Sequence, residues 1–216
     1  MWENNIIIGR RGLLGLAIPA LVAAATWRTA RANTEAGAAA PIQRLDAALL
    51  AAMQAGRGTA FSQRYMSLEP VIEQTFDLGA VLAASIGLAW AGMSNDQKAQ
   101  LLAAFHRYTV ASYAANFDNY TGQTFQIAPA VRSVGNGEMV VSTELIAADS
   151  TRHRLDYVMR NTASGWKAVD VLADGSISRV AVQRSDFRHL LSSGGAVALM
   201  AGLQRKVASL SGGMLA

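Results

Sequence analysis

The chain has no cysteine, which rules out a disulfide framework, a thiolate nucleophile and any sulfur-ligated metal. Charge is scarce as well. Asp, Glu, Lys and Arg make up 16% of the residues against 51% apolar, a balance that excludes a disordered chain and suits a folded, ligand-lined or membrane-associated one. The sequence pI near 9.8 invites a nucleic-acid reading, but the distribution of charge removes it. Arg10, Arg11, Arg28 and Arg31 fall in the first 32 residues with a single acid, Glu3, and the remainder carries fifteen basic side chains against fourteen acidic ones. No stripe of cations for phosphates survives, so no nucleic-acid partner is expected.

Long apolar runs are missing too. The stretch Gly12 to Val22 is shorter than the ~20 residues a membrane span needs, and Pro19 interrupts it. Preceded by Arg10-Arg11 and followed by the small-residue signal Ala30-Arg31-Ala32, it reads as an export signal over residues 1–32, cleaved before Asn33. The paired arginines resemble a twin-arginine signal. Residues 33–40 have little to bury and read as a flexible tail ahead of a single domain over 41–216.

Catalytic signatures are equally absent. His106, His153 and His189 have no i, i+4 partner with a Glu between, and there is no G-x-S-x-G elbow, P-loop or dinucleotide fingerprint. No metal and no cofactor is expected. Asp170 and Asp174 suit turn-capping and hydrogen-bonding roles better than an acid–base pair. Arg152, Arg154 and Arg160 form a local basic face, which is usually solvated but can also guide an acidic partner or headgroup.

What is present is a run of helices followed by strands. Pro41 stands where a first helical residue belongs, with Ile42, Leu45, Leu49 and Met53 on one face. A helix from Phe61 to Ser67 is expected to stop at Pro70, with another through Phe76. Asp77 is placed to cap a piece ending at Trp90. Ser94 to Gln97 is a capping box opening a long helix whose apolar face runs from Leu101 to Phe117. The period then changes to two: Phe125 and Ile127, an Asn136-Gly137 hairpin turn, Met139 to Ala147, Arg152 to Arg160, and Trp166 to Leu172. Beyond Asp174-Gly175, Ser176, Ile177, Val180, Arg184 and Phe187 have helical spacing, and a last helix covers Ala196 to Leu210. The class is α+β, an antiparallel four-stranded sheet packed on one face by several helices.

The order and spacing of Arg64-Tyr65, Pro70-Val71, Phe76-Asp77, Leu88 to Trp90, Tyr113, Phe117, Tyr120, Gly122, Asp156-Tyr157, Trp166-Lys167, Asp170-Val171, Gly175-Ser176, Arg184 and Phe187 resemble the MlaC-type, or toluene-tolerance, periplasmic lipid-binding family, most closely its hopanoid-associated HpnM branch. The chain departs from the family at Ala181 to Arg184, where an Asn-Tyr-Arg run is usual. The resemblance implies a strongly curved sheet, similar to the nuclear-transport-factor cone, around an apolar cavity. It implies a monomeric, non-enzymatic periplasmic carrier of a hopanoid or phospholipid, working between an inner-membrane lipid transporter and an outer-membrane acceptor.

A carrier needs an apolar lining with few polar groups, since each buried CH₂ contributes about 0.8 kcal/mol. Candidates from the early helices are Phe76, Leu82, Ile86 and Trp90, and from the long helix Phe105, Tyr108, Tyr113 and Phe117. The sheet offers Leu145, Leu155, Tyr157, Met159, Val169 and Val171, and the closing helix Phe187. Each serves equally well as ordinary core. Two readings from other classes stay open. One is an isomerase or dehydratase of the cone fold using a buried Asp with a raised pKa, Asp156 or Asp170. The other is a structural adaptor with a filled core.

Overall fold

The computed structural model describes residues 19–215. The unit Glu35–Ala216 carries the fold, while Arg10-Arg11 and most of the expected export signal lie outside the described residues. No described helix is long and apolar enough to cross a membrane.

Helix α1 (Pro19–Ala55) gives this unit a buried face of Ala38, Ile42, Leu45, Leu49 and Ala52. The stretch expected to be a flexible tail is therefore helical up to and beyond Pro41, which lies inside the helix and does not begin it. The reason is local and tertiary together. Alanine has the best helix propensity, Ala38 and Ala39 are buried, and Gly37 leaves room for the Trp166 indole, 3.3 Å from where a Cβ would stand.

Helix α2 (Phe61–Thr75) likewise runs through Pro70. Pro70 and the preceding turn at Met66 face solvent, so the carbonyl left without an amide partner is on the water side and the helix continues. Asp77 caps α3 (Leu78–Ile86), its Oδ1 accepting from the Ala80 amide at 2.9 Å. A 3₁₀ turn, Gly87–Trp90, follows. Helix α4 (Asn95–Asn116) opens with the full capping box of Ser94 and Gln97.

The strands are β1 (Thr124–Ile127), β2 (Arg132–Gly135), β3 (Glu138–Ile146), β4 (Arg152–Thr162), β5 (Gly165–Ala173) and β6 (Ile177–Ser178). They pair antiparallel in the order β1-β3-β4-β5-β6, with β2 also on β3. The described sheet thus has six strands, not the four expected. The two additions carry no period to detect, β2 being exposed throughout and β6 two residues long. Asn136 and Gly137, both with positive φ, make the two-residue turn that their identities predict.

Beyond β5, Asp174 (φ 51°) and Gly175 (φ 71°) turn the chain so that Ala173 pairs with Ile177 and Leu172 with Ser178. Ser176 and Ile177 therefore belong to the turn and the strand. The helix begins later, at α5 (Arg179–Leu210), with Ser178 as its cap. Non-helical backbone at Gly194 and Gly195 divides α5 in two, and the second half returns against the first: a Cβ on Gly202 would meet Leu190 at 2.7 Å.

One irregularity moves side chains between faces. Between β4 and β5 the register steps from Val158↔Asp170 to Met159↔Ala168, leaving Val169 as an extra residue. Ala168, not Val169, then joins Tyr157, Met159 and Val141 on the buried face that the helices cover.

Arg64 ties this arrangement at one end. Buried in α2, it donates through Nε to the Ala114 carbonyl (3.2 Å) and through one terminal nitrogen to the carbonyls of Gly56 (3.3 Å) and Thr59. Replacing it by leucine would leave three carbonyls without their donor. The expected loss for Arg64→Leu is roughly 3 kcal/mol in urea denaturation, whereas a loss below about 1 kcal/mol is what an exposed side chain would give.

Candidate functional site

Where α3, α4 and the start of α5 meet β5, the side chains do not close completely. They leave a cavity of about 90 Å³ lined by Phe76, Leu78 and Val81, by Phe105, Tyr108, Thr109, Ser112 and Tyr113, by Asp170 and Val171, and by Arg179, Val180 and Gln183. The lining is apolar on the α3 side. Its polar groups come from α4 (Thr109, Ser112), from Asp170 and from the start of α5 (Arg179, Gln183), and Arg179, exposed to solvent, has no ion-pair partner among the described residues.

Aromatic side chains set the cavity's walls. Phe76 stands 5.8 Å from the Tyr113 ring and 6.4 Å from that of Tyr157, and Phe105 meets Phe187 edge-on at 6.3 Å. The α5 wall is held by polar contacts. Asp170 accepts from the Val171 and Val180 amides (2.8 and 3.1 Å) and from the Ser178 hydroxyl. Ser85 Oγ lies 3.0 Å from Gln183 Oε1, and Arg184 donates twice to the Ala84 carbonyl, at 3.0 and 2.6 Å.

Of the residues proposed from sequence, the structure brings Phe76, Phe105, Tyr108, Tyr113 and Val171 into this one cavity. Leu82, Tyr157, Met159 and Phe187 are buried core. Phe117 and Leu155 pack at the core's edge. Ile86 and Trp90 line a separate surface groove, and Leu145 is half-buried outside both. Val169 is displaced by the bulge. The sequence reading missed Leu78, Val81, Val180 and Gln183, which helical spacing around the capping residues Asp77 and Ser178 would have indicated.

Neither carboxylate proposed as a buried base is available for that role. Burial works to raise the Asp156 carboxyl. Two hydrogen bonds from Arg154 (2.9 and 2.8 Å), the Ser142 hydroxyl and Arg132 at 3.2 Å outweigh it and hold the group below the usual range. Asp170 spends its oxygens on the start of α5. The arginine face is occupied in the same manner: Arg152 pairs with Glu144, Arg154 with Asp156 and Arg160 with Glu138. Arg152 and Arg160 pair across to β3, and Arg154 pairs with Asp156 two residues along its own strand, so the face does not present free cations to a headgroup. No cluster able to hold a metal ion exists among the described residues.

The acid with a raised pKa is one that sequence reading passed over. Asp46 sits on the buried stripe of α1, and neither carboxylate oxygen has a hydrogen-bond partner among the described residues. Burial pushes it up to about 7. Its charge in turn acts on the buried Tyr113 and Tyr157, whose phenols burial holds well above their usual value. Asp46 is not among the residues lining the cavity.

Fold and site together define an α+β protein whose helices cover an antiparallel sheet and leave a small, mostly apolar cavity against it. A family model described as MlaC protein matches residues 43–205, and the chain belongs to the MlaC family. Among solved structures it is similar to a phospholipid-binding protein from Ralstonia solanacearum, determined in complex with a phospholipid. The two share 21% sequence identity with a TM-score of 0.69, over 81% of this chain and 98% of that one, a likeness of fold. No curated protein matches the chain.

The Asp46 carboxyl gives a signed pH dependence. With its pKa near 4 when unfolded and about 7 when folded, the native state holds the extra proton. This group's contribution is full below pH 4 and is lost as pH rises through 7, by up to about 4 kcal/mol. Asp46→Asn removes that slope. Thermal melts at pH 5 and pH 8 should show the wild type losing stability at the higher pH and the variant losing less, and equal slopes would contradict the assignment.

Proposed function

We propose that this protein is a non-enzymatic lipid carrier that takes the hydrocarbon part of a lipid between the helices and the sheet, in the cavity described above. The observation that carries the reading is that cavity itself. It has a mostly apolar interior of aromatic and aliphatic side chains, with Thr109 and Ser112 of α4, Asp170 of β5 and Gln183 of α5 as polar members, and Arg179 at the start of α5 can meet an anionic headgroup. Membership of the MlaC family and the phospholipid bound by the Ralstonia protein support it.

At about 90 Å³ the cavity is smaller than the 300 Å³ or more that ligand pockets usually offer. On this reading it is a closed state, and a lipid widens it by moving the α3–α5 seam off the sheet. The movement has to part the buried apolar contacts of Leu82, Ile86 and Phe187. The seam is tied by Ser85–Gln183 and Arg184–Ala84, and it is bounded by glycines at 87, 194 and 195 where the backbone leaves the helical region. The register shifts at Ser133–Gly135 and Val158–Met159 are of the kind that curve sheets, and a cone-like wrapping around the lipid is part of the proposal. So are a hopanoid or a phospholipid as cargo, a periplasmic location after removal of the leader, action as a monomer, and exchange with an inner-membrane transporter and an outer-membrane acceptor.

Native mass spectrometry of detergent-free protein tests this directly. The wild type should retain one lipid in stoichiometric amount, with a mass that separates a triterpenoid from a phospholipid. Val81→Trp, which puts an indole into the cavity, should abolish retention without lowering the melting temperature. Lipid-free wild type that also takes up no lipid from vesicles would overturn the reading.

A further inference from the structure

The 3₁₀ turn Gly87–Trp90 puts an apolar side chain where the fold has no use for one. Leu88 is 99% exposed, Ala89 and Ala91 beside it are exposed, and Trp90 is only half-buried. Scattered exposed leucines are ordinary, but this one stands on a short turn at the edge of a groove whose charged residues are cationic. The groove beneath it is lined by the turn, by Ala83 and Ile86 of α3, and by Arg184, Arg188, Leu191 and Ser192 of α5, so both charged residues lining it are arginines. A third cation, Lys98, stands 5.6 Å from the Trp90 ring. The acid on this part of α5, Asp186, lies 3.8 Å from Lys206 and does not line the groove.

The turn is held in this position. Gly87 takes a φ of 70°, where a side chain would be strained, and the Arg184 guanidinium closes over it while donating to Ala84. An exposed leucine with a tryptophan beside it and a rim of basic residues is the pattern of a segment that rests in the headgroup region of a bilayer, the leucine below and the cations level with the phosphates.

We infer that the Gly87–Trp90 turn, with Arg184, Arg188 and Lys98 around it, is a docking surface for an anionic lipid bilayer. Its place in the fold fits. The cavity is lined by Val81 and Gln183, and the groove by Ala83 and Arg184, two positions and one position further along the same two helices. Docking there would set the α3–α5 seam against the membrane from which a lipid must come. The choice of a bilayer over an acidic protein rests on the lipid-carrier reading.

The absence of cysteine supplies a clean probe. Leu88→Cys in the full chain can be labelled with a polarity-sensitive dye, with Ser133→Cys on the exposed strand β2 as control. Vesicles containing phosphatidylglycerol should blue-shift the dye at 88 and leave that at 133 unmoved, and pure phosphatidylcholine vesicles should shift neither. In vesicle flotation, Leu88→Asp should weaken binding at least about tenfold through the lost apolar insertion. Arg188→Ala should weaken it about fivefold, the share of one basic residue near an anionic surface, and added salt should weaken it further. Arg188 is the better choice because Arg184 also supports the turn.

Binding unchanged by Leu88→Asp, or equal shifts at 88 and 133, would overturn the inference. A shift with soluble polyglutamate but not with vesicles would assign the surface to acidic proteins and overturn it too. Protein that retains lipid yet does not float would also refute docking and leave the carrier reading intact. Protein that floats through Leu88 but never holds lipid would support docking and remove the carrier.

Discussion

The junction at Phe76 and Asp77 is the constraint on which the rest of the domain depends. Phe76 ends α2 and forms a bridge with Ala168 of β5, and the next amide, of Asp77, donates to the Ala168 carbonyl at 3.0 Å. Two helices are thereby fixed to the sheet by backbone bonds, since Asp77 then caps α3. The Phe76 ring, fixed by the same geometry, reaches Tyr113 on α4 and Tyr157 on β4 and forms part of the cavity wall. The bulge at Val169 belongs to this junction. It brings Ala168, the small residue, to the face where α2 ends, and takes the bulkier valine off it.

Around that junction the interior divides into a side packed by α1 and α2 and a side that holds the cavity. The buried faces of α1 and α2 pack against each other and the sheet, and Arg64 ties α2 to the end of α4 and to the loop after α1. The α3–α5 side meets across the cavity and is joined by the buried Leu82, Ile86 and Phe187 and by the Ser85–Gln183 and Arg184–Ala84 hydrogen bonds. A ligand gains about 0.8 kcal/mol for each methylene it buries. Parting the seam costs the buried contacts of Leu82, Ile86 and Phe187 and the charged Arg184 bonds, each of the latter worth more than the ~1 kcal/mol of a neutral one, so opening calls for a long hydrocarbon chain. The buried Asp46, without a hydrogen-bond partner among the described residues, costs stability on the side packed by α1 and α2 and is the feature of this interior that packing alone does not explain.

Much of this was legible in the sequence, and the limits have physical causes. The capping box at Ser94, the Asp77 cap, the Asn-Gly turn and the strands β1, β3, β4 and β5 follow from local chemistry, and local chemistry decided them. Pro41 and Pro70 misled because a proline ends a helix only when the carbonyl it leaves unbonded cannot find water or another donor. The tail at 33–40 misled because alanine carries no pattern, and its burial depends on the distant Trp166. Alternation put Val169 beside Val171, and a bulge, which is a property of the pairing and not of the strand, separated them. The aromatic wall of the cavity was readable as an apolar helix face, but its small and polar members, Val81, Thr109, Ser112 and Gln183, were not. Asp46 went unnoticed because a single acid in an apolar stripe looks like the edge of that stripe.

The central claim is that a lipid occupies the space between α3, α4, α5 and β5. The most direct measurement is a crystal structure of the protein loaded with a lipid whose acyl chains carry bromine, read by anomalous scattering. The account predicts bromine density bounded by Phe76, Phe105, Tyr113 and Val171, with α3 and the start of α5 displaced outward. Bromine confined to the surface groove between α4 and the second half of α5, beside Ala104, Ala201 and Leu215, with the cavity still closed, would contradict it.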